Sequence, residues 1–173
     1  MEYKDLLEKR FAVRKFDENR RIDEETLNEL LSVIPLAPSA VNHQSPRVYV
    51  IQSELGLKTI NELCTCLSKA QTVLMFVYNK DEIWKNPFNE KYSSGEQDVS
   101  ILATLMMMKA VDLGLGTCWV NFFDNDKVKQ AFRLPDEENV VLLMPIGYID
   151  EDCEPNPIMH KKRKEISSMV RYL

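Results

Sequence analysis

Seven consecutive residues, Thr72-Val73-Leu74-Met75-Phe76-Val77-Tyr78, are almost all apolar and rich in β-branched and aromatic side chains. A strand with one wetted face would alternate apolar and polar residues instead. The run therefore predicts a strand buried on both faces, and any fold must cover it from two sides. The segment from Gln97 to Leu113 is equally demanding. Val99, Ile101, Leu102, Ala103, Leu105, Met106, Met107 and Met108 leave only Ser100 and Thr104 polar within that stretch. A helix apolar around most of its girth belongs in a core or at a subunit interface. Asp98, Lys109 and Asp112 interrupt it well short of the ~20 apolar residues of a membrane span.

The remaining elements follow from local signals. Tyr3 to Arg10 reads as a short helix. Asp23 is placed as the N-cap of a second, with Leu27, Leu30, Leu31 and Ile34 at helical spacing and Pro35 and Pro38 ending it. Arg47–Ile51 predicts a strand, and Ser53 caps a helix running to about Leu67. Residues 79–95 are polar and form a long loop. Gly114 stops the long helix, Thr117–Val120 predicts a strand, Asp124 opens a short helix to Ala131, and Val140–Tyr148 predicts a last strand. The tail from Glu151 is polar and then basic. Helices and strands alternate without repeats, which makes the chain an α/β or α+β domain.

Composition narrows the function. The 173 residues suit one domain with a substantial core. With 22 basic and 27 acidic residues the net charge is −5, which argues against a nucleic-acid or anionic-membrane partner. The start, Met1-Glu2-Tyr3-Lys4-Asp5, shows no apolar leader, so a cytoplasmic location with reduced thiols is expected. Of the four cysteines, Cys64 and Cys66 fall two apart on the expected helix and so point about 200° away from each other. No histidine lies beside them to complete a zinc site.

Hydrolytic chemistry fits poorly. No Gly-x-Ser-x-Gly elbow is present, and His43 and His160 are far apart in sequence. Neither a phosphate-binding loop nor a dinucleotide fingerprint occurs, and there are only five glycines in total. The acidic run Asp150-Glu151-Asp152 reads as solvated surface. A nucleotide site would have to use side-chain cations and amides. Arg10 and Arg14 supply guanidinium forks that match a phosphate, although two arginines four apart also describe an exposed helix face or basic turn. Asn42 and Gln44 both donate and accept, which suits the pyrimidine edge of a planar ring; ordinary loop polarity is the plainer reading. The cluster His160-Lys161-Lys162-Arg163-Lys164 reads as a solvated tail or a third set of cations.

Taken together, four segments resemble the nitroreductase family of FMN-dependent oxidoreductases. They are Arg10-Phe11-Ala12-Val13-Arg14-Lys15-Phe16, Ala37-Pro38-Ser39-Ala40-Val41-Asn42-His43-Gln44-Ser45-Pro46, Leu113-Gly114-Leu115-Gly116-Thr117-Cys118-Trp119-Val120, and Leu143-Met144-Pro145-Ile146-Gly147-Tyr148 with the basic tail. The resemblance implies an α+β fold, an α/β/α sandwich with a mixed, mostly antiparallel sheet. It also implies one FMN-binding domain over residues 1–173, whose 150–173 tail closes on the cofactor or a partner subunit, and an intertwined homodimer with FMN at the interface.

By the same resemblance Arg10, Phe11, Ala12 and Arg14 hold the phosphate and ribityl end, joined by Lys161 and Arg163. Asn42 faces the flavin ring with Gln44 beside it, and Asn121 and Phe122 line its edge. The implied activity is NAD(P)H-dependent reduction of a small organic acceptor by a two-step exchange, with no side-chain nucleophile. Alternatives are a flavin store or sensor with little turnover, or other FMN chemistry such as reductive dehalogenation. Three departures stand out from the family pattern. Ala12 replaces a serine, Asn121-Phe122 stands where small residues are usual, and the Tyr78–Asp98 stretch that would cap the substrate is short. Trp84, Phe88, Tyr92, Phe122 and Phe123 are candidates for a pocket wall.

Overall fold

The computed structural model describes residues 2–173, and of Lys161 its backbone alone. The helices are α1 (Tyr3–Lys9), α2 (Glu24–Leu31), α3 (Glu54–Leu63), α4 (Gly95–Asp112), α5 (Asn125–Ala131) and α6 (Pro157–Lys161). The strands are β1 (Pro46–Ile51), β2 (Thr72–Asn79), β3 (Leu115–Thr117) and β4 (Glu138–Tyr148). They form one antiparallel sheet in the order β1-β2-β4-β3. The single parallel pairing among the described residues is a bridge between Ala12 and Thr117.

β2 is buried on both faces, as its apolar run requires. Leu74 and Phe76 pack with Leu142, Met144 and Ile146 of β4 against Leu30 of α2 and Val99, Leu102, Ala103 and Met106 of α4. On the other face Val73, Met75 and Val77 meet Ile60 of α3 and Val128 of α5. The result is the expected three-layer α/β/α sandwich.

Three elements differ from the sequence reading. The third strand starts earlier, at Leu115, and its ladder breaks after Thr117. Cys118 N donates to Pro145 O at 3.2 Å, but a proline has no N–H to return the bond, so regular pairing stops. It resumes at one bridge, Val120 to Leu143. α3 ends at Leu63 rather than Leu67, and Ser68 and Lys69 turn the chain into β2 in the left-handed region (φ 53° and 52°). Cys64 and Cys66 are therefore not helical neighbours, and the angular argument does not apply to them. The tail contains a helix, α6, which opens on Asn156 as N-cap with Pro157 at its first position.

Residues 79–95 are built from successive turns in which Asn79, Asn86 and Asn89 accept from the backbone N–H two residues on. The loop from Ala37 to Ser45 is more constrained. Val41, Asn42 and Gln44 all hold positive φ, at 46°, 58° and 54°. Left-handed backbone is costly for a β-branched residue. Buried Asp98 at the start of α4 fixes this loop, accepting from Ala40 N at 3.0 Å and Ser45 Oγ at 3.5 Å.

Glu138 is 8% exposed, and Tyr49 Oη donates to its Oε2 at 2.5 Å across the sheet. Burial, and then this bond, push the Tyr49 phenol up to about 12. The stabilisation is complete below pH 10 and is lost as pH rises through about 12. Tyr49→Phe leaves a buried carboxylate oxygen without its donor and should cost about 1–3 kcal/mol in urea unfolding at pH 7. An unchanged midpoint refutes a structural role for the pair. Val41→Gly removes no buried contact, since Val41 is exposed. It should raise stability by up to about 1 kcal/mol by relieving the left-handed valine. A lower melting temperature would show that the loop is not strained there.

Candidate functional site

α1 ends at Lys9, and Arg10 is extended (φ −63°, ψ 124°), so the paired arginines are not on a helix face. In extended chain, alternate residues share a side, which puts Arg10, Ala12 and Arg14 together. The segment is strapped along the edge of the sheet. Val13 N donates to Thr117 O and Asp17 N to Tyr148 O, both at 2.9 Å, while Val13 and Phe16 are buried. Gly116 makes this approach feasible, because a Cβ there would meet Val13 Cγ2 at 2.6 Å and Ile149 Cγ1 at 2.7 Å. Lys15 pins the strap to the turn after β4 through Asp150 at 2.7 Å and Asp152 at 3.2 Å. Those bonds raise the Lys15 ammonium above its ordinary range, and the Lys15 bond holds the Asp150 carboxyl below its own.

The neighbouring cations have no such partners. Among the described residues Arg10 makes no side-chain hydrogen bond or ion pair, and Arg14 reaches only Ala12 O at 3.5 Å. Arg163 bonds only backbone carbonyls, of Met159 at 3.4 Å and Lys162 at 3.1 Å. Arg10, Phe11, Ala12 and Arg14 line a cavity of about 80 Å³, closed from the tail by Asn156, Met159 and His160. The His160 ring meets Phe11 edge-on at 6.1 Å. Its Nδ1 is buried without a hydrogen-bond partner among the described residues. Thr117 Oγ1, on the strand that the strap follows, is likewise unpartnered. The fold thus brings Arg10, Phe11, Ala12 and Arg14 to one cavity, whereas Arg163 is not among the residues that line it. The expected role of the Lys161 side chain lies outside the described residues.

Asn121 and Phe122 follow the break in β3. Asn121 Nδ2 donates to Val141 O at 3.2 Å, and the Phe122 ring is 80% exposed. The Phe122 carbonyl accepts a weak bond from Cys64 Sγ at 3.7 Å. Burial pushes the Cys64 and Cys118 thiols up, with Arg14 opposing the shift at Cys118. All four cysteines are free thiols. Phe123 and Trp84 pack inward or are half-buried, whereas Phe88 and Tyr92 face solvent and wall no cavity described here.

Asn42 and Gln44 lie elsewhere. Their loop enters β1 at Pro46, which pairs through Tyr78 with Asn139 at the start of β4, whereas Thr117 pairs with Ile146 near its end. The two groups are separated by roughly 20 Å along β4 and by three strand spacings, ~14 Å, across it. Helices cover both faces between them, so no ligand can connect Arg14 and Asn42 of one chain. Gln44 instead borders a separate cavity of about 260 Å³ with Pro38, Ser39, Arg47, Asp98 and Leu102.

Sequence reasoning missed Asn156, His160 and Asp98. The Asn-Pro pair signals the cap of α6; His160 reads only as part of the basic cluster 160–164, and nothing local marks Asp98 as the tie that fixes the 37–45 loop. No group of three His, Cys, Asp or Glu side chains among the described residues is placed to hold a metal ion, and no helix there is long and apolar enough to cross a membrane.

Comparison with known proteins agrees with this architecture. A nitroreductase family protein from Clostridium difficile 630 is 30% identical and superposes with a TM-score of 0.91, covering 99% of this chain and 98% of its own. A protein of Exiguobacterium sibiricum 255-15, whose crystal structure contains FMN, shares the fold at a TM-score of 0.86 and 19% identity, with 100% and 98% coverage. A Bacillus subtilis (strain 168) protein provisionally named NAD(P)H nitroreductase MhqN is 24% identical over 207 aligned positions, covering 99% of each chain. The family model described as "Nitroreductase family" matches residues 7–69 and 64–148. This chain belongs to the nitroreductase family.

Proposed function

We propose that the chain is an FMN-dependent oxidoreductase that uses NAD(P)H to reduce a small organic acceptor, and that it works as a homodimer. The observation that carries this reading is the cavity of about 80 Å³ ringed by Arg10 and Arg14, cations without carboxylate partners in a chain of net charge −5. Guanidinium forks with no carboxylate partner keep their donors free for an anion. His160 lines the same cavity. The residues therefore fit the phosphate end of a flavin nucleotide.

Arg10 and Arg14 would hold that phosphate, with Arg163 and Lys161 closing from the tail. The chemistry that FMN supplies when bound is acceptance of a hydride from NAD(P)H and its donation to a second substrate. The protein's part is orientation and charge. Asn42 and Gln44 stand exposed on a loop fixed by Asp98, a rigid mount for reading a ring edge. Because they cannot serve Arg10 and Arg14 of their own chain, they would serve those of a second copy. The outer face of α4 supports such pairing: Ile101 and Leu105 are 39% and 38% exposed, on a helix whose other side fills the core. Ile166, Met169, Tyr172 and Leu173 leave the tail with apolar side chains uncovered as well. The whole chain, tail included, acts as one FMN-binding domain.

The purified protein should be yellow, and anaerobic NADH or NADPH should bleach it, with parallel-line (ping-pong) steady-state kinetics. A colourless protein that fails to take up FMN overturns the reading; a yellow one that neither nucleotide bleaches supports the flavin-store alternative. Arg14→Ala should weaken FMN binding by about 10- to 100-fold, the loss of one charge-assisted hydrogen bond. The unfolding midpoint should stay unchanged, because Arg14 has no strong bond within the chain. Sedimentation should give twice the chain mass of 20.1 kDa. Ile101→Glu with Leu105→Glu should halve that mass and abolish FMN binding; FMN binding by the monomer would refute a shared site.

A further inference from the structure

We propose that Cys66 and Cys118 are a redox-active pair, closed to a disulfide by peroxide, which ties the gap in β3 to the turn after α3 and loosens the arginine strap. The bond itself is independent of the FMN reading; its effect on cofactor retention rests on that reading.

Three thiols meet at one corner of the fold. The chain leaves α3 at Leu63 and turns through residues 64–69. Cys64 and Leu67 of this turn pack in the same buried cluster as Cys118, which stands in the gap of the β3 ladder between Thr117 and Val120. The strap closes the corner. Ala12 packs on that cluster, and Val13 and Phe16 pack with Ala70, just beyond the turn.

Cys66 is exposed, whereas Cys64 and Cys118 are buried. Cys66 is the common neighbour: its negative charge is felt at both buried thiols, and the Arg14 charge is felt at Cys118. Cys64 is tied down already. Its Sγ donates to Phe122 O at 3.7 Å and accepts from the backbone N–H of Cys66. Among the described residues Cys118 Sγ reaches only the carbonyl of Trp119, at 4.0 Å. Its segment lacks regular pairing, with Cys118 N held by Pro145 O at 3.2 Å, and so can shift toward the turn.

An accessible thiol beside a second thiol is the arrangement in which oxidation ends in a disulfide. The Cys66 thiolate attacks one peroxide oxygen and the O–O bond breaks, leaving a sulfenic acid and hydroxide, which takes up the thiol's proton as water. The Cys118 sulfur then attacks the Cys66 sulfur. An S–S bond forms, the S–O bond breaks, and the oxygen leaves as water with the Cys118 proton. The two thiols lose two electrons, and one peroxide becomes two waters. A disulfide holds its Cα atoms within roughly 7 Å, which draws the Cys118 segment toward the turn. Thr117, the preceding residue, accepts Val13 N of the strap at 2.9 Å, so the pull reaches Arg10 and Arg14.

The test treats the reduced apoprotein with equimolar hydrogen peroxide and maps its disulfides by mass spectrometry of a non-reducing digest. A Cys66–Cys118 cross-linked peptide pair should appear, free thiols should fall from four to two, and dithiothreitol should reverse both changes. Cys64→Ser and Cys153→Ser should keep the bond, and Cys66→Ser should abolish it. In fluorescence titrations the oxidised wild type should bind FMN several-fold more weakly than the reduced form, whereas peroxide should leave the affinity of Cys66→Ser unchanged. A Cys64–Cys66 bond, or Cys66 oxidised with Cys118 still a free thiol, overturns the pairing whether or not FMN binds. A Cys66–Cys118 bond with unaltered FMN affinity overturns the coupling to the strap. Failure of both redox forms to bind FMN overturns the FMN reading and that coupling with it, and leaves the bond standing.

Discussion

Burial of β2 on both faces is the constraint from which the rest of the molecule follows. Leu74 and Phe76 need α2 and α4 above them; Val73, Met75 and Val77 need α3 and α5 below. Once both faces are covered, no ligand can lie across the sheet, and chemistry is left to its edges and corners. One edge is closed by β1 and its strained loop. The other, β3, is only three residues long and is completed by the strap that carries Arg10 and Arg14. The arginines are thus at the border of the sheet because its interior has no room for them.

The strap depends on a small residue at one position. Gly116 lets Val13 lie within van der Waals reach of β3, and that contact decides which way the alternating side chains of Arg10–Arg14 point. The Gly-Leu-Gly-Thr segment and the arginine segment, distant in sequence, are two halves of one contact. Lys15 adds a third tie, to Asp150 and Asp152, and so spends its charge inside the protein. Arg10 and Arg14 keep theirs. This difference between adjacent cations separates scaffold from candidate site more sharply than composition does.

Patterns that depend on burial were legible in the residues alone. The apolar runs of β2 and β4 stand out because each is covered on both faces, and Asp23, Ser53 and Asp124 mark helix starts through bonds to nearby backbone. Features set by distant contacts were not legible. α3 stops without a glycine or proline, Pro145 breaks the ladder of a strand that lies beyond α5 in the chain, and Val41 takes a left-handed conformation that its own side chain disfavours. The arginine pair shows the limit most clearly. A spacing of four suggests a helix face, whereas the fold makes it extended and places Ala12 on the shared side.

That placement bears on how the site would be completed. A serine at position 12 would add one neutral donor on the side that carries Arg10 and Arg14. The acidic corner at Asp98 raises the complementary question of why a loop should be held in strain and left exposed. Within one chain, Asn42 and Gln44 lie out of reach of Arg10 and Arg14, and relaxing Val41 would cost the fold nothing. On the homodimer reading proposed above, their conformation gains a purpose when a second chain brings its β3 edge to this corner. On that proposal the strained loop, the bare apolar side of α4 and the unpaired arginines would be three incomplete surfaces of one assembly, each satisfied by another copy of the same chain.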